Sequence, residues 1–540
     1  MGIKRLFPVL LAAAMLTATA CSSSSAPSSS QPAPSGGQAA PTSGSQPAPT
    51  TGSQAAPTSG SQPTASSSQP ALETLRVGYD VNLTTGDPDM TGQPTDMNLL
   101  INVFDPLTRR DNNGQLQPSL ALSWKLVNPT TWEFSLRPNV KFQDGEPFDA
   151  NSVKFSIERV TKNPKSPIQE LRSIESVNVK DPMTVDIATK TPDPMMPDKL
   201  ALFAGMMVPP QYIQQQGDAG FANKPIGTGP YSIKEWVRGD HITFEANPNY
   251  WGGTPKVKTA VVRFITDATT RVAALLNHEI DMATALPSTA VKQVESTSGL
   301  RVDKATGLRI YYISIADKEG PLANTQVRQA LSYATDTKAL TDKLLLSYGV
   351  QIGAPLATTN YGAKDAPGPY PYDLNKAKQL LAQAGYPDGF TVQFDTRSGI
   401  YQTVAETVSQ MWAQVGVKAT VNVLPDATYT DKYTNGTLAP VWNLGYTMWQ
   451  GDPTTLIDTF FHTDRPRARY TTPQLDAQVN DLESQTDPQK RAQDMKDILA
   501  TLHDQAPWIY VFQANDLYGV SSQVQWTVPV MQLLDFSQVK

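Results

Sequence analysis

The sequence predicts an α/β protein with more than one domain, and three observations support this prediction. At 540 residues, the chain is longer than one hydrophobic core usually supports. Helix-type and strand-type hydrophobic patterns alternate, as where YQTVAETVSQMWAQVG is followed by VKATVNVLP. Strand pairs joined by short turns are interspersed among them, so neither class of element fills a domain alone.

The first residues have the pattern of an export signal. MGIKRLFPVLLAAAMLTATAC begins with two basic residues, continues with an apolar run too short to span a bilayer, and ends in small residues. ATAC resembles a lipobox, in which cleavage precedes a lipidated cysteine, although Ala18 stands where leucine is commonest. We predict a signal peptide over residues 1–20 and lipidation of Cys21, the only cysteine. Ordinary secretion with a chance cysteine is the alternative.

Residues 21–72 have the composition of a disordered tether. No charged residue occurs between Ser22 and Leu72, and APTSGSQ recurs with one change at residues 40–46, 48–54 and 56–62. Such a segment has too little apolar surface to offset its conformational entropy, and a coil of this length spans roughly 40 Å. An O-glycosylated stalk is compatible with the same composition.

The charge of the chain argues against nucleic acid as a partner. Without the two basic residues of the signal, 42 Lys and Arg stand against 50 Asp and Glu, a net charge of −8. An acidic protein is repelled by an acidic polymer. No later stretch is apolar and long enough to predict a transmembrane helix.

The strand and helix patterns follow one another from residue 73 onwards. ETLRVGYD and TTWEFSLRPNVKF alternate as strands do, and FDANSVKFSIERV places Val153, Ile157 and Val160 on one helical face. The later helix patterns are NTQVRQALSYATDTKALTDKLL with Asn324 as N-cap, YDLNKAKQLLAQAGYPDGF between Asp373 and Gly385, TPQLDAQVNDLES, and PQKRAQDMKDILATLHDQ.

The segment FANKPIGTGPYSIKEWVRGDHITFEAN contains two motifs that suggest other functions. Its Gly-Thr-Gly opening lacks the preceding strand, the following helix and the third glycine of a dinucleotide loop. YSIKEWV and HITFEAN read instead as a hairpin, with Gly239 and Asp240 at a two-residue turn in which Gly239 takes positive φ. The Arg-Gly-Asp triplet lies in that turn, so we interpret it as turn chemistry and not as an adhesion motif.

The region GTGPYSIKEWVRGDHITFEANPNYWGG resembles the signature of extracellular solute-binding proteins, family 5, the oligopeptide, dipeptide and nickel class. The resemblance continues in PSLALSWKLVNPTTWEFSLRPNVKFQDGEPFDANSVKFSIERV (118–160), VRQALSYATD, KAKQLLAQAGYPDGF and APWIYVFQ. It thus covers essentially all of the chain after the tether, with the blocks in order.

The resemblance implies a two-lobed fold of the periplasmic-binding-protein type (type II, cluster C), with an extra domain inserted in lobe one. The implied boundaries are 73–115, 206–308 and 511–540 for lobe one, 116–205 for the inserted domain, and 309–510 for lobe two. GLRIYYISI and WIYVFQAND are the strands expected at the hinge. Clefts between domains that close about a hinge are common ligand sites.

The implied function is capture of a solute and its delivery to an ABC permease. Peptide-like solutes are expected first, with an oligosaccharide, an opine or a metal complex as the alternatives. We predict a lipid-anchored extracytoplasmic monomer without cofactor. An enzyme is disfavoured because the chain has no Gly-x-Ser-x-Gly or Gly-x-x-x-x-Gly-Lys motif, and its four histidines lack metal-ligand spacing. A surface adhesin is supported only by the tether and the Arg-Gly-Asp triplet.

The resemblance also implies ligand-binding residues. The first-lobe loop GDPDMTGQPTDM provides Met90, Thr91 and Gln93, a helix start provides Tyr401, and WNLGYTMWQGDPTTLIDTFF provides Tyr446, Trp449 and Asp452. Peptide-binding relatives often have an acid at the position of Trp449, where it pairs with the α-amino group. A Trp ring there would suit a sugar or a cation, or it packs within lobe two. Loop packing is the alternative role for Met90, Thr91 and Gln93. Tyr401 could instead be a buried tyrosine with a satisfied hydroxyl, and Asp452 could brace its own loop.

Overall fold

The computed structural model describes residues 72–540 apart from residues 113, 449, 450 and 532. The predicted signal peptide, Cys21 and most of the predicted tether lie outside the described residues, as does Trp449. Among the described residues, no helix has the length and apolar character required to cross a membrane.

The described residues form strands and helices in alternation. The strands are β1 (Thr74–Tyr79), β2 (Thr108–Arg110), β3 (Leu116–Pro118), β4 (Ala121–Asn128), β5 (Thr131–Leu136), β6 (Ile174–Asp181), β7 (Thr184–Thr189), β8 (Tyr231–Val237), β9 (His241–Ala246), β10 (Thr259–Phe264), β11 (Met282–Ala283), β12 (Leu300–Ser314), β13 (Gly349–Val350), β14 (Thr391–Thr396), β15 (Lys418–Val423), β16 (Val441–Thr447) and β17 (Trp508–Ser521). The helices are α1 (Pro94–Leu100), α2 (Ala150–Thr161), α3 (Met196–Lys199), α4 (Pro210–Asn223), α5 (Ala268–Leu276), α6 (Val291–Glu295), α7 (Thr325–Tyr333), α8 (Thr337–Leu344), α9 (Leu374–Gln383), α10 (Ile400–Ala413), α11 (Asp426–Thr434), α12 (Thr454–Phe461), α13 (Pro473–Ser484) and α14 (Pro488–Gln505).

Most predicted helices are confirmed with their caps, and one predicted helix is divided. Asn324 caps α7 by accepting a hydrogen bond from the Gln326 amide, and Asp373 caps α9. The pattern predicted as one helix from residue 324 ends at Tyr333, and a second helix starts after Asp336, which accepts from the Ala339 amide. A strong N-cap inside the pattern ends one helix and starts the next.

A large sheet with the order β15-β14-β16-β12-β17-β11-β1-β10-β9-β8 runs through the molecule, and β13 adds to β17. The long strands β12 and β17 pair antiparallel from Leu300–Ser521 to Ser314–Trp508. Strands β1 and β8 to β11 lie on one side of this central pair, whereas β14 to β16 lie on the other. The two strands expected at the hinge are therefore the ones that connect the two halves of the sheet.

A separate four-stranded sheet, β4-β5-β7-β6, lies between β1 and β8 in the sequence. Helix α2 covers it with the predicted apolar face, since Val153, Ile157 and Val160 are all buried. Asp149 starts this helix with a capping box, in which it accepts from the Ser152 amide while Ser152 accepts from the Asp149 amide.

The signature segment is bound to a buried carboxylate, that of Asp105. Its oxygens accept hydrogen bonds from the Thr228 hydroxyl (2.8 Å), the Tyr250 hydroxyl (3.0 Å) and the Trp251 indole N–H (2.7 Å). Burial raises the pKa of Asp105, and these three hydrogen bonds oppose the rise. These three residues of the signature segment thus hold it to the chain between α1 and β2.

The hairpin predicted within the signature is confirmed as β8 and β9. The turn has three residues, since Val237 pairs with His241, where a two-residue turn was expected. Gly239 has φ 78°, and the Asp240 amide donates to the Val237 carbonyl at 3.1 Å. The Arg-Gly-Asp triplet is therefore this turn.

Candidate functional site

The register of the sheet locates a cleft at the hinge strands. On one side, Gly78 near the end of β1 pairs with Ala283 of β11. Ala283 pairs with Gly519 of β17, and Gly519 pairs with Val302 of β12. On the other side, Thr447 at the end of β16 is level with Arg309. The carboxyl ends of strands from the two halves thus face each other across residues 303–308 of β12. Ligands of open α/β sheets bind at carboxyl ends of strands.

A bulge in β12 lies opposite this gap. Thr306 pairs with Asn515 and Ile310 with Gln513, so the three residues 307–309 oppose only Ala514. The fully buried Gln513 side chain donates to the Gly307 carbonyl and accepts from the Thr358 amide. Bulges redirect side chains, and here Arg309 is the last residue of the irregularity.

Four charged side chains surround the gap. Arg309 is exposed and donates from Nε to the Thr447 hydroxyl at 3.1 Å. Asp516 lies opposite Ala305. Asp80 follows β1 and accepts from the Thr284 hydroxyl at 2.8 Å, and Arg397 follows β14. Two cations and two anions therefore line one cleft.

Aromatic rings form the wall of the cleft on the side of lobe two. The Tyr401 ring centre is 5.5 Å from that of Tyr311, which is 4.8 Å from that of Phe512. The Arg397 guanidinium carbon lies 4.4 Å from the Tyr401 ring centre, within cation–π range. Arg397 Nε is buried and has no hydrogen-bond partner in the described part of the chain. Tyr401 is thus placed beside the charged residues of the cleft.

The predicted first-lobe loop packs against the region after α2. The Met90 sulfur accepts from the Asn163 amide at 3.4 Å, and Met90 is more than a third exposed. The Thr91 hydroxyl donates to Asp96 at 2.7 Å, so it is engaged within the loop. Gln93 is exposed and precedes α1. No hydrogen bond or ring contact among the described residues joins these three to Arg309 or Arg397.

Tyr446 and Asp452, two of the residues predicted to bind the ligand, have different surroundings. Tyr446 pairs with Ile310 on the face opposite to Thr447, and its ring packs 6.0 Å from that of Phe460. Asp452 is buried, accepting from Arg491 at 2.8 Å and from the Thr454 amide at 2.8 Å. Asp452 therefore braces its own loop. Ligand contact by either residue stays a prediction.

Sequence reasoning missed Arg309, Tyr311, Arg397, Asp516 and Asp80. The signal was present for two of them, since Arg309 and Asp516 are the charged residues within the apolar hinge segments GLRIYYISI and WIYVFQAND. A charge in a strand that is otherwise apolar needs a partner or a wet cleft. The others are recognisable only once the strand ends are brought together.

The fold and cleft correspond to a known family. The profile of bacterial extracellular solute-binding proteins, family 5 (middle), matches residues 115–467, which is more than half of the chain. The protein belongs to this family. The predicted two-lobed α/β fold class is confirmed, and the function is that of an extracytoplasmic solute-binding receptor for an ABC importer.

Individual relatives differ in what they are named for. The chain is 31% identical over 399 residues to the glutathione-binding protein GsiB of Pectobacterium atrosepticum, covering 71% of this chain and 77% of the relative. It is 27% identical over 452 residues to heme-binding protein A of Haemophilus influenzae, covering 77% and 82%. The solved DppA of Helicobacter pylori in complex with the peptide STSA has a TM-score of 0.74 at 23% identity, covering 87% and 98%.

These relatives are binding proteins and not enzymes. Among the described residues, no group of three or more His, Cys, Asp and Glu side chains has the arrangement of a metal site.

Proposed function

We propose that this receptor binds a short peptide or peptide-like zwitterion and is held at the membrane by a lipid on Cys21. The observation that supports the ligand class is the paired charge of the cleft, with Arg309 and Arg397 beside Asp516 and Asp80. Guanidinium groups bind carboxylates through paired hydrogen bonds. The Nε atom of Arg397 is buried and has no hydrogen-bond partner among the residues that the structure describes, and a ligand carboxylate would satisfy it.

The relatives agree with this ligand class without defining it. Glutathione and the peptide STSA, which are named with two of the proteins above, both carry carboxylate and amine groups. An oligosaccharide would leave Arg397 and Asp516 without a charged partner from the ligand, and a buried charge that lacks a partner is costly. We therefore favour a zwitterionic ligand over an oligosaccharide. Opines, which also carry these charges, remain the second candidate.

The tether and the lobes complete the proposal. A lipid on Cys21 followed by about 40 Å of coil would raise the effective concentration of the receptor near its permease. The boundaries of 73–115, 206–308 and 511–540 for lobe one, 116–205 for the inserted domain and 309–510 for lobe two are part of the proposal. Arrival of the chain at the membrane would be checked by globomycin sensitivity of cleavage before Cys21.

The ligand class is tested by native mass spectrometry of protein purified without denaturant, followed by a thermal-shift panel. We expect a retained adduct with an amine and a carboxylate, or a raised melting temperature with reduced glutathione or trialanine. Maltotriose should leave the melting temperature unchanged. A shift with maltotriose and none with the peptides would contradict the zwitterion.

Arg397→Gln tests the carboxylate partner. We expect it to weaken binding of the peptide at least about tenfold, because a charge-assisted hydrogen bond is lost. Arg238→Gln is the matched control, since the Arg238 guanidinium also stacks on an aromatic ring, 3.3 Å from that of Trp236, but in the β8–β9 turn. Equal loss of affinity in both variants would rule out a specific role for Arg397.

A further inference from the structure

We propose that Asp516 binds the ammonium group of the solute, so that the receptor selects solutes with a free amine. This assignment rests on the proposed function and specifies one end of the ligand. Asp516 lies on β17 opposite Ala305, in the gap between the two sets of strand ends.

One oxygen of the Asp516 carboxylate has no hydrogen-bond partner among the described residues. This oxygen, Oδ2, is buried. None of the ion pairs within the described residues involves it. A buried carboxylate oxygen without a donor is unfavourable, and such groups in native structures call for an explanation such as a missing ligand.

The neighbours of Asp516 already have partners of their own. Asp80 accepts from the Thr284 hydroxyl at 2.8 Å, and the Arg309 Nε atom donates to Thr447 at 3.1 Å. Arg309 and Asp80 oppose each other in their effect on Asp516, the first favouring its charged form and the second disfavouring it, and burial is the largest influence. An arriving cation would compensate that burial.

A peptide amine desolvated in the cleft needs an anion. Asp516 provides one from the hinge, so the ammonium group would lie against β17 and the carboxylate would extend towards Arg397.

Aromatic contacts connect Arg397 with the strand that carries Asp516. Arg397 follows β14 and stacks on Tyr401, which packs on Tyr311 and thereby on Phe512 of β17. A solute with its ammonium group at Asp516 would therefore extend its carboxylate along this aromatic wall towards Arg397.

The assignment is tested by a cycle of protein and ligand variants in isothermal titration calorimetry. Reduced glutathione and trialanine are each titrated with their N-acetylated forms into wild type and Asp516→Asn. For wild type we expect N-acetylation to weaken binding at least about 30-fold, as expected for loss of a buried charged partner. In Asp516→Asn the same acetylation should weaken binding by less than about threefold, because the interaction with the ammonium group is already lost.

Asp388→Asn is the charge-matched control, since Asp388 is an exposed acid in lobe two, and it should retain the wild-type preference. Equal affinity of wild type for free and acetylated probes overturns the role of Asp516 and leaves the receptor function intact. Binding of neither form by wild type overturns the proposed ligand class itself. If Asp516→Asn does not fold, the wild-type comparison alone decides.

Discussion

At the scale of single residues, family resemblance and ligand contact are separate properties. The most diagnostic residues of the signature, Thr228, Tyr250 and Trp251, all donate to Asp105 inside lobe one. They identify the family because the fold needs them, whatever the solute. The residues at the cleft, such as Arg309 and Asp516, lie outside that signature segment.

We expect Asp105→Ala to lower the free energy of unfolding by about 3 kcal/mol, because it leaves one buried and two half-buried donors without their acceptor. Urea unfolding followed by tryptophan fluorescence measures this change. Asp388→Ala is the control, since an exposed acid should cost less than about 0.5 kcal/mol. Similar midpoints for the two variants would show that the Asp105 network contributes little to stability.

At the scale of elements, the Gly-Thr-Gly loop is explained by a close approach of two backbones. The Gly229 amide donates to the Val103 carbonyl at 2.9 Å. A Cβ atom on Gly227 would lie 2.2 Å from the Val103 oxygen, and one on Gly229 would lie 2.5 Å from the Val103 carbonyl carbon. The glycines are therefore required for packing against the segment that leads to Asp105. This packing explains them without a phosphate-binding role for the loop.

Gly227→Ala should accordingly destabilise the protein by about 2 kcal/mol, because the clash is with backbone and cannot be relieved by a side-chain rotation. Gly368→Ala serves as the control, since a Cβ atom there has no neighbour within 4 Å, and the loss of unfolded-state entropy should make it neutral or slightly stabilising. Thermal unfolding of both proteins measures the difference. An unchanged melting temperature for Gly227→Ala would refute the close-packing account.

At the scale of the whole molecule, buried acids make stability depend on pH. Arg159 binds Asp87 and Asp89 at 2.6 Å each, and Asp218 at 2.7 Å, so three carboxylates share one cation. Burial and the neighbouring Asp87 raise the pKa of Asp89 to about 7, although Arg159 opposes the rise. Burial likewise raises the pKa of Asp516 to about 7.

The sign of the pH dependence follows from these raised values. Between about pH 4, where an aspartate titrates in the unfolded chain, and pH 7, the folded state holds protons that the unfolded state has lost. Stability should therefore fall as the pH rises from 5 to 7.5. Asp89→Asn should reduce this slope, and urea unfolding at three pH values measures it. A wild-type stability that rises over this range would contradict the shared-cation account.

Local sequence and tertiary structure determine different features of this protein. Helix patterns with their caps, the β8–β9 hairpin, the family and its two-lobed fold class could all be predicted, because they depend on local spacing and on motifs contiguous in the chain. The division of the helix at Asp336 shows the limit, since a cap inside an apolar pattern is easily read as part of it. The strand face on which Tyr446 lies could not be predicted either, because the face that borders the cleft depends on the pairing of β16 with β12.

The sequence by itself determined that this is an extracytoplasmic solute-binding receptor, because its signature blocks are each encoded within one stretch of chain. Only the tertiary structure decided where the solute-binding charges lie. Arg309 and Asp516 are separated by about two hundred residues and Asp80 by more than two hundred from either. They share a cleft because the pairing of β12 with β17 makes the ends of strands from the two halves of the sheet face each other across one gap, and no local pattern contains that pairing.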